Sequence, residues 1–165
     1  MSKRCLLLVV LLCVVVGVQA ESFSQQVMAQ IEPMLQVSWP DTELYFGKLS
    51  VGANETPTMA LKVSSNIAYR IELHTENIYL KEFVTSSGVY GDACLKEALK
   101  VSIDGGVNWL TLENSMVLAE QKEISGAEDV YDLKYQQVLS FPSDMALAEG
   151  SIYKTDITLL ITPAI

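Results

Sequence analysis

The sequence predicts an all-β fold: an antiparallel two-sheet sandwich preceded by an N-terminal strand extension. Three observations carry this. Apolar and polar residues alternate with a period of two along most of the chain, the pattern of strands buried on one face. Turn residues recur between those runs at roughly 8–12-residue spacing, which suits a sandwich or barrel and not βαβ units. No segment carries the 3.6-residue periodicity of a long amphipathic helix, although residues 92–99 could close one short helical turn.

The chain opens with Lys3 and Arg4, an apolar run from Leu6 to Val18, and a small-residue cleavage site at Val18-Gln19-Ala20. Residues 1–20 are therefore expected to be a signal peptide. Their apolar core falls short of the ~20 residues a spanning helix needs. Leu12 stands before Cys13 where a lipid-modified cysteine would want a small residue. Residues 21–40 form the expected strand extension. Within it Val27, Ala29 and Ile31 alternate up to Pro33, and Leu35, Val37 and Trp39 resume up to Pro40. Proline donates nothing to a ladder, so both mark strand ends or edges. Residues 41–165 are the expected sandwich domain.

Inside that domain the inward sets are Met59-Leu61-Val63, Tyr69-Ile71-Leu73, Leu99-Val101-Ile103 and Tyr131-Leu133-Tyr135. The longest run is Tyr153-Thr155-Ile157-Leu159-Ile161, ending at Pro163. Turns are expected at residues 52–54, 64–66, 86–88, 104–106, 125–126 and 149–150, where Gly, Asn, Asp and Ser collect.

Cleavage after Ala20 would remove Lys3 and Arg4, two of the eleven basic residues, and none of the twenty acidic ones. The formal charge would move from −9 to −11. Such a surface repels nucleic acid and anionic membrane, so neither is expected as a partner. Cys5 and Cys13 would leave with the signal. Cys94 would remain alone, with no intramolecular disulfide, as a small core residue; pairing with another chain is the alternative.

Catalytic and cofactor motifs are not apparent, and the chain is not expected to be an enzyme. His74 is the only histidine and falls on the polar phase of its strand, with no partner at the spacing of a triad or zinc site. Glu120, Glu123, Glu128, Asp129 and Asp132 gather around one loop. Glu128, Asp129 and Asp132 are the metal candidates, for a Ca²⁺ ion that takes several oxygens, without EF-hand spacing to support them. Asn54-Glu55-Thr56 fits a glycosylation sequon in a turn-like setting, though Pro57 follows it. Trp39, Tyr45 and Phe46 read as core or edge packing.

Residues 102–109, Ser-Ile-Asp-Gly-Gly-Val-Asn-Trp, resemble the Asp-box of β-propeller sialidases and other secreted β proteins, Ser-x-Asp-x-Gly-x-Thr-Trp, with Asn108 at the usual Thr. The resemblance implies a structural hairpin away from any catalytic centre. A propeller would need several copies and a longer chain. Residues 63–73 and 150–159 resemble the strand patterns of secreted immunoglobulin-like β-sandwich subunits of prokaryotic surface fibres. That resemblance implies an immunoglobulin-like sandwich and transfers no functional residue.

Together these readings lead to an expectation: an extracellular structural subunit, secreted or at the cell surface, whose partners are other copies of itself. Assembly would use donor-strand addition of the N-terminal segment, with Val27, Ala29, Ile31, Leu35 and Val37 filling a neighbour's pockets. The alternative is a monomeric secreted binding module for carbohydrate or a surface protein.

Overall fold

The computed structural model describes residues 28–39, 43–121, 127–140, 144 and 151–164. The expected signal peptide, Val27 and the expected turns at 125–126 and 149–150 lie outside the described residues. Residues 28–31 belong to one compact unit and hold no strand; a second unit begins at Glu32. Among the described residues every element is a strand, and every strand pair is antiparallel.

The first sheet is built on β10 (Glu128–Leu139), twelve residues long. Its first half pairs with β3 (Met59–Ser65) and its last four residues pair with β2 (Gly52–Glu55). Pro57 falls between β2 and β3, where a backbone N–H is lost. Thr56 repairs the ladder: its amide donates to the Tyr135 carbonyl at 3.0 Å, and its hydroxyl accepts the Tyr135 amide at 3.0 Å. β1 (Leu35–Ser38) adds outside β3. On the other side of β10 come β7 (Lys100–Ser102) and β8 (Leu110–Thr111).

The second sheet has β4 (Tyr69–Thr75) at its centre, between β9 (Ser115–Gln121) and β12 (Ile157–Pro163). A third small sheet holds β5 (Lys81–Val84) between β6 (Val89–Cys94) and β11 (Ile152–Lys154). Strictly alternating burial along β3 and β4 follows from the period-two pattern. Met59, Leu61 and Val63 of β3, Val101 of β7 and Leu133 and Tyr135 of β10 share one core with Tyr69, Ile71 and Leu73 of β4. The two faces are also tied by a bond: the Tyr69 hydroxyl donates to Asp129 Oδ2 at 2.7 Å. Burying each of these large aliphatic chains contributes about 1.5–3 kcal/mol.

The turn expected at residues 64–66 begins only at Asn66, since Ser64 and Ser65 end β3; this bend carries the chain from the first sheet to the second and also anchors β1. Asn66 Oδ1 accepts the Met34 amide, and Asn66 Nδ2 donates to the Glu32 carbonyl at 2.8 Å.

Four expectations are corrected here. The long run from Tyr153 to Ile161 is split between β11 and β12, which serve different sheets. At the break the Thr155 hydroxyl donates to the Asn77 carbonyl at 2.6 Å, and Thr75 Oγ1 donates to the Asp156 carbonyl at 2.8 Å. These side chains compete with the ladder for the backbone. Residues 92–99 form no helical turn. The amides of Leu95 and Leu99 bond instead to the distant carbonyls of Leu80 and Ile78, both at 2.9 Å, because both leucines are pulled into the core. Residues 52–54 are strand β2, not a turn. Of the alternating run ending at Ile31, the described residues 28–31 lie in no strand.

Candidate assembly edge

Sheet edges expose unpaired N–H and C=O groups, and proteins blunt them with shortness, charge, proline or bulges. Most edges here are blunted. β1 has four residues and β8 two. β9 slips register between Ile71 and Glu72, leaving Leu118 as an extra residue, and it carries Glu120.

β12 is different. Its seven residues, Ile-Thr-Leu-Leu-Ile-Thr-Pro, hold no charge and run in unbroken register with β4. Only Pro163, at its end, interrupts the donors. Among the described residues no strand pairs with its other side. Ile157, Leu159 and Ile161 point inward yet are only partly buried against the core, and Leu160 on the outer face is 45% exposed. This edge offers a backbone ladder flanked by incompletely covered apolar side chains.

The five predicted interface residues do not behave as one segment. Leu35 and Val37 lie on β1, opposite Ser65 and Val63 of their own chain. Ala29 and Ile31 precede it in no strand, and Val27 lies outside the described residues. Trp39 and Tyr45 are exposed, while Phe46 packs against the core.

Strand alternation also separates the three metal candidates. Glu128 faces out and pairs with Lys62 at 3.0 Å. Asp129 faces in, toward the Tyr69 hydroxyl. Asp132 faces out, and its carbonyl accepts the Gly105 amide at 2.8 Å. Among the described residues no group of three or more His, Cys, Asp or Glu is placed to hold a metal.

His74 sits on the outer face of β4, beside a row of charged side chains. Its Nε2 lies 3.4 Å from Glu72 Oε2, and Arg70 bridges Glu72 and Glu120 at 3.5 and 3.0 Å. Solvent screens pairs this exposed, so they add little to stability. Cys94 is exposed, a correction to its expected place in the core. It ends β6 on the outward phase, and the buried neighbour Leu95 takes the core position. Asn54 is likewise not in a loop. Its Nδ2 donates to the carbonyls of Ser50, Gly52 and Gln137, and Thr56 is buried.

The Asp-box-like residues form the β7–β8 hairpin. Asp104 Oδ1 accepts the Ser102 hydroxyl at 2.6 Å and the amides of Val107 and Asn108 at 3.0 and 2.9 Å; Oδ2 accepts Asn108 Nδ2 at 2.6 Å. The Asn108 amide foremost, then the Ser102 hydroxyl, hold the Asp104 carboxyl well below the usual carboxylate range. Gly105 and Gly106 take φ of +75° and +98°. A Cβ at Gly106 would stand 3.2 Å from Trp109 Cζ2. The aspartate is spent on its own turn, so the motif is a structural clip.

The edge position of β12 left no mark in the sequence, because pairing is decided between distant segments. Its lack of charge over seven residues was visible there. Comparison with protein-family models, with curated proteins and with solved structures returns no match.

Proposed function

We propose that this chain is an exported structural subunit, secreted or held at the cell surface, that assembles with copies of itself into a fibre or layer by β-strand addition. The observation that carries this reading is the bare, uncharged, seven-residue edge of β12. β1 is already committed within its own chain, so the donor is the segment before it. Residues 22–31 hold no charge and no proline, matching the uncharged acceptor. The net acidity of the rest of the chain opposes association elsewhere.

Magnitudes say what the donor must do. Seven new backbone bonds at a net ~0.5–1.5 kcal/mol each contribute roughly 4–10 kcal/mol. Ordering the nine residues from Phe23 to Ile31 costs about 1–2 kcal/mol apiece, roughly 9–18 kcal/mol. The ladder alone does not hold. Burial of Phe23, Val27 and Ile31, which would share one face of an extended strand, adds about 1.5–3 kcal/mol each and brings the gain level with that cost. Addition of this kind is head-to-tail and propagates.

The test is sedimentation and electron microscopy of the mature protein beside two variants: Leu160→Lys, which charges the acceptor, and Val27→Asp, which charges the donor. Filaments from the parent and monomers with unchanged circular dichroism from both variants are expected. Filaments that persist in both variants refute the mechanism. A parent that is monodisperse and monomeric favours a secreted binding module for carbohydrate or a surface protein.

A further inference from the structure

A cleft of about 460 Å³ opens where β4 has ended and β5 has not begun, beside the junction of β11 and β12, with Thr158 of β12 in its lining. Its floor is held rigidly. Thr75, 8% exposed, donates its hydroxyl to the Asp156 carbonyl at 2.8 Å and accepts the Asn77 amide at 3.2 Å. Asn114 Nδ2 donates to the carbonyls of Thr75 and Glu76 at 3.0 and 3.3 Å. Loop backbone fixed in this way is organised before any ligand arrives, which lowers the ordering cost of binding.

The walls are less committed. The Glu76 carboxylate, the Asn77 side-chain amide and the Thr158 hydroxyl form no hydrogen bond with the described residues, yet all line the cleft. Asp156 uses Oδ2 to accept the Tyr90 hydroxyl at 2.6 Å and keeps Oδ1 for another donor. Burial first, then that bond, raises the Tyr90 phenol to about 12, so it stays a neutral donor at physiological pH. Tyr90 supplies the aromatic wall, braced edge-on by Phe83 at 5.6 Å.

The inventory selects a ligand class. Two carboxylates, one histidine (His74) and no lysine or arginine line the cleft, a balance that disfavours anions. The Glu76 carboxylate can accept two hydroxyl groups and Asp156 Oδ1 a third, while the Asn77 amide both donates and accepts. Such an array suits adjacent hydroxyls, and the volume falls within the ~300–1,000 Å³ of small-molecule sites. We propose that this cleft binds a neutral saccharide of one or two rings, with Glu76, Asn77, Asp156 and Thr158 taking its hydroxyls and Tyr90 forming the side wall. The site takes only the Thr158 side chain from β12 and none of that strand's free backbone groups, so a polymer would display it on every subunit.

Saturation-transfer difference NMR tests this on the whole mature protein, and it works on monomers and filaments alike. The probes are glucose, galactose, mannose, N-acetylglucosamine and their 1→4-linked disaccharides. At least one should receive saturation. Asn77→Ala and Thr158→Ala should each weaken that sugar about tenfold while leaving the circular dichroism spectrum and unfolding midpoint unchanged. Tyr90→Phe, which keeps the ring, should weaken it less. No transfer to any probe, or transfer unaltered in both Asn77→Ala and Thr158→Ala, overturns the proposal. So does a response to Ca²⁺ alone.

Discussion

Replacing Tyr69 by Phe removes one oxygen from the junction between the two facing sheets. The ring is 1% exposed and stays in place, so no cavity opens. What goes is a donor bond to Asp129 Oδ2 at 2.7 Å and a contact with the Tyr131 hydroxyl at 2.9 Å. A hydrogen bond to a charged acceptor contributes about 1.5–3 kcal/mol. Asp129 is only partly buried and can recover water, which places the loss near the lower end, about 1.5–2 kcal/mol. For a domain of this size that lowers Tm by roughly 4–8 °C. The assay is thermal and urea unfolding of the parent, Tyr69→Phe, Asp129→Ala and the double variant. The cycle should return a coupling of about 1 kcal/mol between the two positions. Stability within about 0.3 kcal/mol of the parent, or no coupling, would refute the claim that this bond ties the sheets.

Three further outcomes are expected. Burial holds the phenols of Tyr69 and Tyr135 above their ordinary value, so their contribution is complete below about pH 10 and lost as pH rises from there toward the folded values. Each should cost about 1.4 kcal/mol per pH unit above 10, and a Tyr135→Phe variant whose alkaline unfolding is as steep as the parent's would contradict this. Gly106→Ala forces a side chain into φ +98° with Trp109 Cζ2 3.2 Å from the new Cβ; a loss of about 1–2 kcal/mol in chemical denaturation is expected, and an unchanged midpoint would count against the strained hairpin. Cys94, exposed at the end of β6, should react with a thiol reagent in the folded protein at the rate of a free thiol; protection until unfolding would show that it is covered.

Much of the architecture was legible in the residues because a pleated strand converts sequence parity into sidedness. Leu61, Val63, Ile71, Leu73, Val101 and Leu133 are all buried where the alternation placed them. The 102–109 hairpin was legible for a related reason, since its bonds are local. Gln137 was not. It occupies an inward position of β10, fully buried, with Nε2 donating to the carbonyls of Glu97 and Val138 at 3.0 Å. Nothing nearby in the sequence announces the Glu97 carbonyl, forty positions away, as a partner. Cys94 failed for the opposite reason: as a small apolar residue it suited a core, but parity along β6 turned it outward beside Leu95.

The candidate sites divide in the same way. Glu128, Asp129 and Asp132 are neighbours in the chain, and the pleat sends them to opposite faces of β10. Glu76 and Asp156 are far apart in the chain, and the breaks between β4 and β5 and between β11 and β12 bring them to one cleft. The sequence by itself determined that the chain is strands with one buried face each and where the Asp104 hairpin closes. Only the tertiary structure decided which strands pair, that β12 is left at an edge, that β1 is used within its own chain, and that a polar cleft forms where two sheets part. The reason is that sidedness comes from covalent geometry repeated at every residue. Pairing is a competition among distant segments, settled by the total burial that each arrangement achieves.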